Sequence, residues 1–131
     1  MSWQAYVDTN LVGTGKVAKG AIFGLDGSVW ATSSDFSISG EEAKKLIAAF
    51  GDVSDIAANG LHLGGIKYVF LRNPENSIYA RHGATGITAV KTNQCVLVGF
   101  YNEHQQGGDC NTVVEGLATY LIGVGYEFQQ C

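Results

Sequence analysis

The region between residues 66 and 101 constrains the fold most, because it alternates four strand-like runs with three short polar turns. The runs cover 66–72, 77–81, 87–91 and 95–101. The turns between them are rich in Asn, Gly, Pro and Thr. Strands joined by turns this short usually pair antiparallel with their neighbours in the chain. The pattern therefore predicts an antiparallel β-sheet.

A further hairpin is indicated near the N-terminus, where Asp26 and Gly27 separate two apolar runs. An Asp-Gly pair in this position is among the strongest short signals for a tight turn between antiparallel strands. We predict strands near 18–24 and 28–33.

Three segments have apolar residues at helical spacing. The first follows Ser2, a candidate N-cap, and ends at Gly13 and Gly15. The second covers residues 40–50, with acidic residues before basic ones, as the helix dipole favours. The third covers about 110–123, with Asn111 as a candidate cap. The stripe of the first is Trp3, Tyr6, Val7, Asn10 and Leu11, and that of the third is Val113, Val114, Leu117, Ala118 and Leu121.

These elements together predict an α+β fold in a single domain over residues 1–131. The two terminal helices both carry apolar stripes, so we expect them to lie together on one face of the central antiparallel β-sheet. The 40–50 helix is then available to cover the other face.

Composition narrows the possible functions. The 131 residues are 46% hydrophobic and 15% charged, which is typical of a folded domain. The formal net charge is −4, from 8 Lys and Arg against 12 Asp and Glu, so no nucleic-acid-binding surface is indicated. No apolar run approaches the ~20 residues of a transmembrane helix. Three widely spaced cysteines without a signal peptide predict reduced thiols and a cytoplasmic protein.

Motifs for catalysis or metal binding are weak. The sequence from Gly13 to Lys16 lacks the spacing of a phosphate-binding loop, and we interpret it as a helix stop. The His and Cys residues lack metal-ligand spacing, so we predict no metal and no cofactor. Cys110 is a candidate nucleophile because a helix start can lower a thiol pKa. The sequence does not show a base at the right distance from it, so a structural thiol is the preferred interpretation, and we expect a protein that is not an enzyme.

Five aromatic residues are placed so that they can converge: Trp3, Tyr6, Trp30, Tyr120 and Tyr126. Trp3 and Tyr6 are three residues apart and share one helical face. One interpretation is an ordinary core cluster. The other is a solvent-open trough for a polyproline II ligand, whose rings stack between aromatics and whose carbonyls accept from indole and phenol groups. The residues alone leave both interpretations open.

Four basic residues, Lys67, Arg72, Arg81 and Lys91, lie at or near predicted strand ends, and no Lys or Arg follows them. They are either solvated charges that discourage aggregation of sheet edges, or a basic rim for a protein partner or for acidic phospholipid headgroups.

Several motifs match one family. The sequence SWQAYVD at residues 2–8 resembles the N-terminal signature of profilins. The sequence GLDGSVWA at residues 24–31 resembles their first hairpin. The sequences VKT at residues 90–92 and VVEGLATYLIG at residues 113–123 resemble their last strands and C-terminal helix. The resemblance covers nearly the whole chain and is greatest to lower-eukaryote and plant-like members.

The resemblance implies a cytosolic, cytoskeletal protein that binds monomeric actin and regulates its polymerisation. It also implies binding of proline-rich proteins, such as formin-like ligands, and often of phosphoinositides, without catalytic residues. The implied polyproline groove is the aromatic set named above. The implied actin face comprises Lys67, Leu71, Arg72, Arg81, Lys91, Gly107, Gly108, Asn111 and Glu115.

Two departures from the family pattern matter. Many profilins carry basic residues on the last helix, where this chain has none, and their loss weakens attraction to acidic partners. Residues 127–131 also extend past the usual end, and this tail either folds over the groove or frays. The alternative to the profilin function is a scaffold or sensor module of the same layout with a purely structural aromatic cluster.

Overall fold

The computed structural model describes residues 3–34, 36–74 and 76–124. In this part of the chain seven strands form one antiparallel sheet, in the order β2-β1-β7-β6-β5-β4-β3. Their bounds are Lys19–Gly24 (β1), Val29–Thr32 (β2), Leu61–Leu63 (β3), Ile66–Arg72 (β4), Ser77–His82 (β5), Thr85–Lys91 (β6) and Cys95–Tyr101 (β7). The sheet joins the two predicted regions, because β1 pairs with β7 from Lys19–Phe100 to Gly24–Cys95.

The same residues contain four helices. The N-terminal helix, α1, consists of an α-helical turn at Trp3–Ala5, a π-helical segment at Tyr6–Leu11 and a 3-10 turn at Val12–Thr14. It ends at Gly15, whose φ of 76° is left-handed, as expected of a glycine helix stop. The other helices are α2 (Gly40–Ala49), α3 (Ser54–Asn59) and α4 (Gly107–Val124).

Each face of the sheet is covered by its own hydrophobic cluster. On one face, α1 and α4 pack against alternate residues of the central strands, including Ile22 and Leu97. On the other, α2 and α3 pack against the intervening residues, including Phe23 and Val98. The predicted α+β fold, with the terminal helices on one face and the 40–50 helix on the other, is confirmed.

Helix α2 is fixed at its start by the carboxylate of Glu42. It accepts hydrogen bonds from the backbone N–H groups of Ser39 (2.9 Å), Gly64 (3.0 Å) and Gly65 (3.1 Å). In the same capping box, the Oγ atom of Ser39 accepts a hydrogen bond from the backbone N–H of Glu42. Partial burial alone would raise the pKa of Glu42, but the three backbone donors outweigh it and lower that pKa. One side chain therefore both caps α2 and attaches it to the β3–β4 turn.

Several local predictions need correction. Helix α4 begins at Gly107, not near residue 110, so Asn111 is not its cap. The segment containing α3 and β3 was not predicted, because elements of six and three residues show too little periodicity. The proposed cap Ser2 lies outside the described residues. In the described part of the chain, none of the helices combines the length and apolarity that a bilayer crossing requires.

Candidate ligand-binding surfaces

Four aromatic rings from three elements form a continuous series on the α1 and α4 side of the sheet. The ring centroid of Trp30 on β2 lies 4.9 Å from that of Trp3, and Trp3 lies 5.7 Å from Tyr6. Tyr6 lies 6.4 Å from Tyr120 on α4. These separations are those of interacting aromatic pairs. The fifth predicted member, Tyr126, lies outside the described residues.

The four rings differ in exposure. Tyr120 is 51% exposed and Trp30 is half-buried, whereas Trp3 is 8% and Tyr6 1% exposed. The solvent-open trough expected from the sequence is therefore accessible at Tyr120 and Trp30 and closed over the two rings between them. The two outer rings are thus the accessible members of the series, and the inner two are covered.

Two glycines on β1 make room for this arrangement. A Cβ at Gly20 would lie 2.9 Å from a methyl carbon of Leu11, so the glycine lets α1 approach the sheet closely. A Cβ at Gly24 would lie 2.8 Å from Nε1 of Trp30, so this glycine admits the indole. Both positions lie on the α1 and α4 side of the strand, as expected from their alternation with Ala21 and Phe23.

A groove of about 420 Å³ continues from the rings between α1 and α4. Its lining is Asn10, Thr14, Thr112, Val113, Gly116, Leu117 and Tyr120. A Cβ at Gly116 would meet nothing within 4 Å, so the missing side chain leaves the groove open there. From Thr112 to Tyr120 the helix rises ~12 Å, which matches about four residues of polyproline II at ~3.1 Å each.

The second surface lies on β4, on the side of the strand opposite to Tyr68, which packs in the cluster of α2 and α3. Lys67, Val69 and Leu71 are exposed there, with Val69 at 60% and Leu71 at 50%. A register shift between Phe70 and Arg72 brings Arg72 opposite Tyr79 of β5. The guanidinium carbon of Arg72 lies 5.0 Å from the centroid of the Tyr79 ring, within cation–π range. Apolar and basic groups therefore alternate across this surface.

Glu115 of α4 connects the helix to this surface. Its Oε2 atom accepts hydrogen bonds from the Tyr79 hydroxyl at 2.5 Å and the Ser77 hydroxyl at 2.9 Å. Burial, followed by the bond to Glu115, raises the pKa of Tyr79 to about 12, so the phenol remains a proton donor. Sequence reasoning named Glu115 but missed Ser77 and Tyr79, because 36 or more residues separate the partners.

Near the start of α4, Tyr101 fills the space left by two glycines. A Cβ at Gly107 would lie 3.0 Å from the Tyr101 ring, and one at Gly86 would clash with its hydroxyl. Gly86 pairs with Arg81, so Arg81 and Gly107 lie at the same end of the sheet. Arg81 donates from Nε (3.1 Å) and Nη2 (2.9 Å) to the carbonyl of Gly83.

The remaining predicted residues of this surface are spread along α4 and β6. Gly108 is exposed at the start of α4, while the Asn111 side chain accepts a hydrogen bond from the buried hydroxyl of Thr88. Lys91 ends β6 three residues beyond Thr88, or ~10 Å farther along the strand. It lines a different cavity with Leu25 and Ile122 among others. The structure therefore places Lys91 at the margin of the surface, away from Gly108.

Cys110 has none of the properties of an activated nucleophile. It is fully buried against Val114 and its neighbours, and burial raises its pKa to about 11. The proposed lowering of its thiol pKa by the helix start is therefore wrong, because α4 starts three residues earlier and desolvation dominates. No cluster of three potential metal-ligating side chains occurs among the residues that the structure describes.

Comparisons with known proteins agree with this architecture. The profilin family model matches residues 1–126. Profilin-1B of Acanthamoeba castellanii is 52% identical over 126 residues, which are 96% of this chain and all of that protein. The crystal structure of A. castellanii profilin II superimposes with a TM-score of 0.92 at 49% identity, covering 95% of this chain and 99% of that one.

A more distant structure shares the fold. Mouse profilin IIa superimposes with a TM-score of 0.79 at 24% identity, covering 95% of this chain and 99% of that chain. The matches extend over both terminal helices and the whole sheet, as the nearly complete coverage requires. The chain therefore belongs to the profilin family.

Proposed function

We propose that the ring series from Trp30 to Tyr120 binds proline-rich segments and that the surface around Arg72 binds monomeric actin. As a profilin, the protein is an actin-monomer-binding regulator of actin polymerisation that also binds proline-rich ligands. It acts by binding and needs no catalytic group. The observation that carries the first assignment is the unbroken contact of four rings that opens at Tyr120 into a groove.

The chemistry of the rings suits a polyproline II ligand. Such a segment is already extended before binding, so it loses little conformational entropy, and its proline rings stack on aromatic faces. The mouse profilin IIa structure was solved with a double repeat from the FH1 domain of mDia1. Contact with Trp3 and Tyr6 requires these buried rings to become more accessible, whereas Tyr120 and Trp30 are accessible beforehand. Tyr126 remains a proposed member of the site.

The proposed actin surface extends over about two thirds of the width of a standard protein interface. It runs from Arg81 and Gly107 through Arg72 to Lys91 at its margin, or ~20 Å along β6. An interface of standard size buries ~800 Å² on each partner, which is about 30 Å across. The exposed apolar residues on β4 supply a core, and the basic residues around them supply a rim. Gly108, Asn111 and Glu115 place the first half of α4 along its edge.

The basic residues of the same surface make it the proposed site for phosphoinositide headgroups. Lys67 and Arg72 are exposed on β4, and Arg81 is exposed at the end of β5. Helix α4 contributes no positive charge, so we expect this binding to be weak and strongly dependent on salt. Because a headgroup and actin would share these side chains, they would compete. We place the protein in the cytoplasm, with the actin cytoskeleton.

Arg72→Glu tests the actin surface. Charge reversal removes an attraction and adds a repulsion of ~1 kcal/mol each, so actin-monomer affinity should fall about thirtyfold. Lys45→Glu, on the exposed side of α2 across the sheet, is the matched control and should leave affinity unchanged. Both variants should bind a proline decamer normally. Equal actin affinity of Arg72→Glu and the wild type would refute the placement.

The burial of Trp3 and Tyr6 favours a second candidate function, a scaffold whose aromatic residues are purely structural. Tryptophan emission separates the two, because Trp3 and Trp30 are the tryptophans of this chain and both belong to the ring series. A proline decamer should change the emission of a ligand-binding protein in a saturable manner. An unchanged spectrum at millimolar peptide would support the scaffold.

A further inference from the structure

The side chains of Arg72, Tyr79 and Glu115 form a connected series that begins on the exposed surface and ends on α4. Arg72 is exposed, Tyr79 is 9% exposed, and Glu115 is half-buried. The guanidinium of Arg72 stacks on the Tyr79 ring, and the hydroxyl of that ring donates to Glu115. Each member therefore contacts the next, and the middle member is held from both sides.

Glu115 is the most constrained member of this series. Glu115 projects from a helix of 18 residues and binds two hydroxyls, those of Ser77 and Tyr79, with the same Oε2 atom. Both hydroxyls belong to β5, whose residues 77–80 are buried. The carboxylate is thus engaged inward, toward the sheet. The Oε2 atom is therefore occupied by hydrogen bonds within the protein.

The Tyr79 ring, in contrast, has a restricted orientation that its burial and the bond to Glu115 both maintain. A phenol that donates to a carboxylate carries more negative charge on its ring, which strengthens attraction to a cation over the ring face. Arg72 has a long side chain with several rotamers, so a fixed electron-rich ring beneath it restricts where its charge lies.

We propose that Glu115 is a positioning residue of the actin surface, which through Tyr79 holds the guanidinium of Arg72 in place and does not itself contact the partner. The inference rests on the proposed actin surface and deepens it. It assigns to Arg72 the contact with acidic groups of the partner, and to Glu115 and Tyr79 the orientation of that contact.

The test is a double-mutant cycle on actin-monomer affinity. Tyr79→Phe keeps the ring but removes the hydroxyl, and Glu115→Ala removes the acceptor. Each should weaken actin binding by about three- to tenfold, comparable to Arg72→Ala, because the ring of residue 79, and with it the guanidinium of Arg72, loses its fixed orientation. In the Arg72→Ala background, neither change should weaken binding further. If the fold-losses of Glu115→Ala and Arg72→Ala multiplied in the double variant, Glu115 would act independently of Arg72, and the proposal would be overturned.

Two further measurements separate positioning from structural damage and from failure of the surface itself. The ¹⁵Nε order parameter of Arg72 in the unbound protein should fall in Glu115→Ala and Tyr79→Phe, and an unchanged value would refute the proposal. Proline-decamer affinity should be unaffected in both variants, whereas loss of both activities would indicate a folding defect and also refute it. If Arg72→Ala alone left actin affinity unchanged, the proposed actin surface would be wrong and the positioning role would fall with it.

Discussion

Tyr120→Ala is expected to separate ligand binding from folding at the ring series. Tyr120 is the exposed end of the series, at 51% exposure, and contacts the buried Tyr6. A tyrosine buries ~200 Å² when fully covered, so a ligand would cover the remaining ~100 Å². At ~25 cal/mol per Å² this area is worth up to ~2.5 kcal/mol. After ordering costs we expect a loss of ~1–2 kcal/mol, or five- to thirtyfold in affinity for a proline decamer.

The stability of the same variant should change moderately. Truncation of a fully buried aromatic residue costs ~3–5 kcal/mol, so half burial suggests ~1.5–2.5 kcal/mol. The unfolding entropy of a 131-residue chain is ~0.28 kcal/mol per kelvin, which converts this loss into a decrease in Tm of ~5–9 °C. Trp3→Ala, at 8% exposure, should lower Tm by ~11–18 °C. Trp3→Ala is therefore the less informative test of binding.

Ile122→Ala is the matched control. Ile122 lies on the same helix at 46% exposure but lines the cavity that contains Lys91 and Leu25, away from the rings. It should lose some stability and no peptide affinity. The assay is titration with a proline decamer followed by tryptophan emission, well below either variant's Tm. Wild-type affinity in Tyr120→Ala would refute the assignment of this ring to the site, and an equal loss in Ile122→Ala would show that the effect is not specific.

Three other expectations follow from the packing. Glu42→Gln should lower Tm near neutral pH and reduce the loss of stability on acidification, as measured by thermal melts from pH 3 to 7. Folding lowers the pKa of Glu42, so this carboxylate stabilises the protein above its unfolded-state pKa, and the contribution is lost as the pH falls through its folded-state pKa. Glu41→Gln, on the exposed side of α2, should change neither the Tm nor its pH dependence. Gly116→Gln should stabilise the helix by ~0.5 kcal/mol, yet it should abolish the higher affinity of long over short proline peptides because the new side chain fills the groove. Gly40→Gln, on the other face, should leave that difference unchanged. If calorimetric titrations of Gly116→Gln still showed the difference, the groove would not be part of the binding site. Cys110 should react with a thiol reagent only on unfolding, and rapid labelling located at Cys110 by peptide mapping of the native protein at pH 8 would contradict its burial.

The strand series was predictable because its determinants are local. Turns of two to four residues fix which strands from β4 to β7 are neighbours, and the Asp26–Gly27 turn does the same for the first hairpin, where Gly27 has a φ of 89°. The pairing of β1 with β7 joins residues about 75 apart, and no local pattern indicates it. The apolar stripes of α1 and α4 predicted which face they cover, but not that half of α1 would be π-helical.

The candidate surfaces were predicted unevenly for the same reason. Trp3, Tyr6 and Tyr120 were identified from helical spacing and family resemblance, whereas their unequal exposure depends on packing. The prediction for Cys110 was wrong because α4 begins three residues before it, which places the thiol within the core and not at the helix start. In the sequence Tyr79 resembles any other strand residue, because its hydroxyl finds its hydrogen-bond acceptor only when α4 brings Glu115 over β5.

Helix α4 is common to both surfaces, with Tyr120 facing the rings and Glu115 facing β5. The two residues are five positions apart, which separates them by ~7.5 Å along the axis and ~140° around it. If both proposed surfaces are occupied at once, one helix holds the actin monomer and the proline-rich segment at a fixed spacing. A tilt of α4 caused by one partner would change the affinity for the other, and the two changes in affinity must be equal.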